Sequence, residues 1–191
     1  MYFFTADEHY GHVKIIDYCK RPFTCVEVMD EVLVQMHNEK VGKNDVTVHI
    51  GDFGWFKSYA EAMKWTSRLH GNHIFIKGSH DHWMSNTFKY MWRREIDGQF
   101  IVACHYALRT WDQAYHGSWN LYGHSHGTLP PIGKQHDVGV DNNKFAPVSF
   151  DEMKVIMALR PMLHGAEHDR LLQQTNREID EDIIIEERMM E

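Results

Sequence analysis

Asp7 and His9 stand two residues apart, and so do His124 and His126. In extended chain, residues i and i+2 point to the same side, so each pair offers two donors in one direction. Three further clusters are of the same kind: Gly51-Asp52, Gly78-Ser79-His80-Asp81 and a lone His105. Carboxylate and imidazole together suit first-row divalent metals. An imidazole left free of metal suits proton transfer near neutral pH. A single Asp-x-His among 15 histidines is a weak signal, because chance matches are easy. Five clusters in order, each closing a hydrophobic run, are a strong one.

Those runs are the elements that must position the chemistry. YFFTA leads into Asp7, VTVHI into Asp52, IFIK into Gly78, FIVAC into His105 and WNLY into Gly123. Short runs of β-branched and aromatic residues closed by Gly or a polar cluster read as buried strands. Ligands of open α/β sheets bind outside the carboxyl ends of the strands, so the five clusters converge on one site. The spacing predicts strands over 2–6, 46–50 and 74–77, and helices over 12–18, 26–39 and 58–69. Thr24 and Ser58 serve as N-caps, and Glu61 occupies the capping-box position. The 26–39 helix turns Val28, Val32, Gln35 and Met36 to one face. Asp97-Gly98 joins strands 88–96 and 99–103 as a two-residue hairpin. Leu121-Tyr122 and 137–140 complete the strands, and a helix over 151–159 stops at Pro161. Strands alternating with helices and then hairpins predict a layered α/β fold with mixed sheets.

In order, Asp7-x-His9, Gly51-Asp52, Gly78-Ser79-His80-Asp81, His105 and Gly123-His124-x-His126 resemble the blocks of the calcineurin-like metallophosphoesterases. The resemblance spans roughly residues 1–160 and is closest to a small, single-domain bacterial and phage-type branch. Tyr10-Gly11-His12, Lys20-Arg21-Pro22-Phe23, His116-Gly117-Ser118-Trp119 and Val138-Gly139-Val140-Asp141 look like that branch's own signatures. The resemblance implies a sandwich of two mixed sheets flanked by helices. It also implies hydrolysis of phosphomonoesters or phosphodiesters at a dinuclear metal centre, through in-line attack of a metal-bridging hydroxide. Manganese is the first expectation for the two divalent ions, and Fe, Co, Ni and Zn also fit mixed oxygen and nitrogen ligands.

Carried over residue by residue, Asp7, His9 and His126 bind the first metal, Asp52 bridges, and His105 and His124 bind the second. His80 acts on the leaving group as the catalytic acid, and Asp81 orients its imidazole. Ser79 stands where the family has an asparagine whose amide oxygen reaches the second metal. A shorter, neutral hydroxyl is a poorer ligand, so the second metal is expected to be held more weakly. Gly71-Asn72-His73 does not replace that block, because it precedes the 74–77 strand and lies at the wrong end of the sheet. Arg109 is placed to bind phosphate through its planar fork. His12, Trp111, His116 and Trp119 are candidates for the mouth of the pocket, with packing as the competing reading of the two tryptophans. His49, inside a strand, reads as a satisfied core histidine.

The net charge of −7 is uneven: residues 166–191 hold nine acids against three bases, leaving the body near −1. This argues against a broad nucleic-acid surface while allowing a small phosphate ester, including a nucleotide, as substrate. Cys19, Cys25 and Cys104 are odd in number and unpatterned, which predicts no disulfide framework and a cytoplasmic location. No apolar run approaches the ~18 residues of a membrane span, and the first residues lack a signal-peptide layout. Residues 161–191 read as an acidic helical or partly disordered tail, and homo-oligomer formation through that tail is one expectation. A nuclease or cyclic-nucleotide phosphodiesterase is the alternative activity. A non-catalytic metal-binding interaction scaffold, like the retromer subunit that resembles this family, is the alternative of another class.

Overall fold

The computed structural model describes residues 1–162. Strands β1 (Tyr2–Thr5), β2 (Val46–Ile50) and β3 (Asn72–Ile76) alternate with helices α1 (Ile15–Tyr18), α2 (Val26–Lys40) and α3 (Tyr59–Thr66). There follow β4 (Met91–Ile96), β5 (Gln99–Cys104), β6 (Trp119–Tyr122), β7 (Gln135–Asp137), β8 (Val148–Ser149) and α4 (Phe150–Ala158). One sheet runs β3-β2-β1-β8 and the other β4-β5-β6-β7. Both are mixed. In the first, β1, β2 and β3 are parallel and β8 is antiparallel. In the second, β5, β6 and β7 are parallel and β4 is antiparallel.

Strand alternation divides each sheet into two faces. Phe4, Val48, Ile50 and Ile76 of the first sheet pack with Ile101, Ala103, Trp119 and Leu121 of the second, and with Phe150, Met153 and Met157 of α4. On the other face of the first sheet, Phe75 packs with Met29, Leu33 and Val34 of α2 and Ala62 of α3. The result is two mixed sheets between helices, the layered arrangement expected. Asp97 and Gly98 both take positive φ, 48° and 78°, and Ile96 pairs with Gln99, as a primed two-residue hairpin requires.

Several local expectations are corrected. Helix α2 is capped by Cys25 without a side-chain bond, not by Thr24. Its buried stripe is Met29, Asp30, Leu33, Val34 and His37, while Val28 is exposed. Apolar residues surround this helix, so two stripes compete. The one chosen buries the larger Met29 and Leu33 and gives its polar members partners: the Asp30 carboxylate accepts the Gly11 amide, and His37 Nε2 bonds to the His70 carbonyl at 3.0 Å. Helix α3 stops at Thr66. Ser58 accepts the Glu61 amide, but Glu61 accepts the amide of Lys57 instead of closing the box. Ser149 and Glu152 do form a complete capping box at the start of α4. Asn72 and His73 belong to β3, at the end remote from residue 78. The 137–140 segment is shared between β7 and a 3-10 turn, Val140–Asn142. Among the described residues no helix is long and apolar enough to cross a membrane. The segment from 163 onward, on which the tail expectation falls, lies outside the described residues.

Candidate metal centre

Past the ends of β1 and β2 the backbone pairing continues. The Asp7 amide donates to the Gly51 carbonyl and the His9 amide to the Asp52 carbonyl, both at 3.0 Å. The Gly123 amide likewise meets the His105 carbonyl at 3.0 Å, joining the ends of β5 and β6. The two sheets are tied together where the His124 amide donates to the Asp7 carboxylate, 2.8 Å from Oδ2. Gly123 is required there: a Cβ on it would sit 2.6 Å from Ala6 Cβ and 2.7 Å from Asp7 Oδ2. Gly78 is equally constrained, since a Cβ would overlap the Asp52 amide and carboxylate. Asp7, His9, Asp52, His124 and His126 all adopt left-handed backbone, with φ between 47° and 68°. Such conformations cost energy for residues other than glycine and persist where surrounding structure enforces them, as at functional sites.

Two ligand sets result. Asp7, His9 and His126 bring ligand atoms within 4.8 Å of one another, and so do Asp52, His105 and His124. Asp52 lies between the sets: its Oδ2 is 3.7 Å from His9 Nε2 and 3.3 Å from His105 Nε2. His105 Nδ1 bonds to the Ile50 carbonyl at 2.9 Å, and His9 Nδ1 faces His12 Nδ1 at 3.3 Å. The remaining nitrogens, His9 Nε2 and His105 Nε2, are buried without a hydrogen-bond partner. Buried polar atoms are normally paired. Two such atoms flanking one carboxylate oxygen fit divalent cations, and the donor chemistry is that of first-row metals.

Burial and mutual charge shift the groups of the site in both directions. Burial lifts the Asp7 carboxyl well above its usual range; His126 opposes this, and nearby Asp137 and Asp52 reinforce it. Burial pushes the His9 imidazole down, which keeps it neutral as a ligand must be. Burial alone would raise Asp52, but the nearby charge of His105 and the hydrogen bond from the His80 amide outweigh it and hold the carboxyl low. A third cluster, Cys19, His126 and Asp141, is equally compact. Burial, reinforced by Asp141, pushes the Cys19 thiol up to about 11, so it is protonated at neutral pH and is a poor ligand.

The other expected residues fall into three groups. His80 lies at the site, with its amide donating to Asp52 Oδ1 at 2.7 Å and its ring 5.2 Å from that of His9. Ser79 is there too, but its hydroxyl donates to Asp52 Oδ2 at 2.9 Å, so it braces the shared carboxylate. Asp81 does not orient His80. Its carboxylate accepts the amides of Gly78, Asp52 and Phe53 and the Trp83 indole, which fixes the loop carrying Asp52. An open cavity of about 780 Å³ adjoins the site, lined by His12, Ile15, Tyr18, Lys20, His80 and Thr128 among others. Arg109 and His116 are exposed and are not among the residues that line it. Trp111 and Trp119 are buried packing residues.

Sequence reasoning missed Trp55, half-exposed and stacked on His12 with ring centres 4.7 Å apart. The signal was its place three residues after Asp52. It also missed the partners of the loop carboxylates. Asp137 accepts the Ser125 hydroxyl and the Gly127 and Gly139 amides, which shapes the turn carrying His124 and His126. Arg21, with a fully buried side chain, grips Asp141 at 2.7 and 2.8 Å, and Asp141 Oδ2 takes His126 Nδ1 at 2.7 Å.

No family model matches the sequence. An uncharacterized protein of Methanocaldococcus jannaschii, MJ1445, is 30% identical over 154 residues, covering 76% of this chain and 85% of its own length. The chain belongs to the MJ1445 family. Among solved structures, a protein of unknown function from Aquifex aeolicus, AQ665, superposes with a TM-score of 0.61 at 21% identity. The match covers 82% of this chain and 98% of that one, so the two share a fold. A conserved uncharacterized protein of Streptococcus pneumoniae, described as a predicted phosphoesterase, has a TM-score of 0.43 at 16% identity, covering 72% and 70% of the two chains. At that level it carries no argument about the chemistry of this family.

Proposed function

We propose that the protein is a metal-dependent phosphoesterase that hydrolyses small phosphomonoesters or phosphodiesters at a dinuclear centre. The observation that carries this reading is the Asp52 carboxylate set between two buried, unpartnered imidazole nitrogens, His9 Nε2 and His105 Nε2. Asp7, His9 and His126 hold one ion, His105 and His124 the other, and Asp52 is shared. When bound, two divalent ions supply a nucleophile at neutral pH and stabilise the attacking and leaving oxygens of an in-line displacement. Manganese is the first ion to test.

The chain's own residues supply the rest. His80, at the cavity wall and outside both ligand sets, carries the proton for the leaving oxygen. Ser79 and the His80 amide fix both oxygens of Asp52. Asp81 holds the backbone that presents them. The open cavity admits leaving groups as large as a nucleoside, with Tyr18 and Lys20 at its wall. Three free cysteines fit a reducing, cytoplasmic setting.

The test is hydrolysis of p-nitrophenyl phosphate and bis-p-nitrophenyl phosphate by protein stripped with chelator and then reloaded with Mn²⁺. Activity is expected to vanish on stripping and return on reloading. His80→Ala should lower kcat about 10²-fold or more with metal content unchanged. A reloaded protein that binds two ions yet cleaves neither ester would overturn the reading.

A further inference from the structure

The sequence singles out two stretches that the ligand sets leave unused, Lys20-Arg21-Pro22-Phe23 and Val138-Gly139-Val140-Asp141. The structure brings them together. Arg21 Nε and Nη2 donate to the two oxygens of Asp141, Nη2 also donates to the Asp7 carbonyl at 2.7 Å, and Nη1 donates to the Glu8 carbonyl at 3.0 Å. One buried guanidinium thus joins the loop that carries Asp7 and His9 to the turn that carries Asp141. Asp141 Oδ2 in turn takes His126 Nδ1 at 2.7 Å.

We infer that Asp141, braced by Arg21, is the positioning residue of the first ion site, fixing His126 so that Nε2 is presented to Asp7 and His9. This rests on the phosphoesterase reading above. Three features support it. A ring nitrogen bonded to a carboxylate carries the proton there, so the tautomer with Nε2 free is selected. The bond also fixes the ring plane, and the rings of His126 and His9 lie stacked 5.4 Å apart. Finally, Arg21 places a buried positive charge beside a cation site, and the Asp141 carboxylate neutralises it. His105, at the second site, is oriented by a neutral carbonyl, Ile50 O. The carboxylate bond therefore sets His126 apart from His105.

Calorimetric titration of the full-length chain with Mn²⁺, and zinc-loaded protein followed by ¹⁵N NMR, test this. Wild-type protein is expected to bind two ions. Asp141→Asn should weaken one of them about 10–100-fold and leave the other unchanged. The manganese paramagnetic resonance spectrum should shift from a coupled pair toward an isolated ion. The double variant Asp141→Asn with His126→Ala should bind no more weakly than His126→Ala alone, since the effect runs through that ring. Because the substitution removes charge beside buried Arg21, the wild-type NMR experiment decides the matter without any variant: His126 should be coordinated through Nε2, with a proton on Nδ1. Coordination through Nδ1, or two ions bound by Asp141→Asn at wild-type affinity, would sink the inference. Wild-type protein that binds no ion would instead sink the phosphoesterase reading on which it stands.

Discussion

Two groups of histidines, one where the strand ends of the two sheets meet and one on the α2 face of the first sheet, differ in what their nitrogens face. At the strand ends, His9 and His105 each present a buried, unpartnered Nε2 to Asp52. Beneath them, between the sheet and α2, His49 is bonded at both nitrogens, to Glu8 Oε1 at 2.6 Å and to His73 Nδ1 at 3.0 Å. The His37 ring lies parallel to that of His49, 6.1 Å away. Burial pushes Glu8 up to about 8 and His49 down to about 3, so their contact is a hydrogen bond between neutral groups. The first group is shaped for cations and the second for neutrality. Burial alone does not make a ligand. A free nitrogen aimed at an ionised carboxylate does.

The largest effect is expected from exchanging roles across that divide. His105→Ala removes a proposed ligand of the shared site and should cut kcat/KM about 10³-fold, equivalent to about 4 kcal/mol of lost transition-state stabilisation. The metal-free protein should also lose some stability, because the buried ring and its Nδ1 bond to the Ile50 carbonyl go with it, so activity per folded molecule is the readout that marks the site. His49→Ala should cost stability alone. It leaves Glu8 and His73 unpaired around a cavity, costing about 3 kcal/mol of stability in denaturant titrations, while activity per folded molecule stays near normal. If His49→Ala abolishes activity in protein that remains folded, the division between the two groups is wrong.

A smaller effect follows from acid. Burial lowers His37 and His73 to about 4, below the range of an unfolded chain, as it lowers His49. A group whose folded pKa is depressed binds its proton more readily in the unfolded state. Stability from these rings is therefore complete above the unfolded value and is lost as pH falls toward the folded ones. Between pH 7 and 5, His49 alone should account for a loss of about 2 kcal/mol. Glu8 has the opposite sign: its raised pKa adds stability at acid pH that is lost as pH rises through about 8. Denaturant titrations of metal-free protein at pH 5, 6 and 7 should show the acid loss, and His49→Ala should flatten it. A profile unchanged by that substitution would mean that His49 is already charged in the fold.

The strand-end cluster was legible because each candidate donor set follows a short β-branched or aromatic run, and two-residue spacing sets the direction of a pair. Gly51, Gly78 and Gly123, read from sequence only as ends of hydrophobic runs, prove to sit at close approaches. What spacing cannot convey is which partner lies across the fold. The Asp81 carboxylate follows His80 in sequence but serves the Asp52 loop, reached only through folding. Asp141 is 120 residues from Arg21, so their pairing left no local trace beyond two unexplained stretches. The stripe of α2 was misread for a related reason. Apolar residues ring that helix, and the choice among them was made by partners of Asp30 and His37 lying in other elements. The sequence offers Trp111 and Trp119 for the pocket mouth and not Trp55, yet Trp55 is the one stacked on a wall residue, His12, while the other two pack in the core.

The smallest expected effect lies at Ser79, where the two ion sites themselves differ. The Ser79 hydroxyl already donates to Asp52 Oδ2 at 2.9 Å, so any bond it makes to an ion competes with bracing the shared carboxylate. The first site has the buried donors Asp7 and His9 and a ring fixed by Asp141, whereas the second relies on exposed His124 with His105 and Asp52. The second ion should therefore be the weaker of the two. Ser79→Asn offers a longer side chain with an amide oxygen, a better ligand than a hydroxyl. At limiting Mn²⁺ it should raise activity several-fold, equivalent to about 1 kcal/mol of ion binding, and at saturating Mn²⁺ it should change little. Ser79→Ala separates the two duties of the residue. If bracing dominates, it should lower kcat modestly at saturating Mn²⁺; if ligation dominates, the loss should disappear as Mn²⁺ is raised. Two ions of equal affinity in wild-type protein, with Ser79→Asn indistinguishable from it, would erase the proposed asymmetry between the sites.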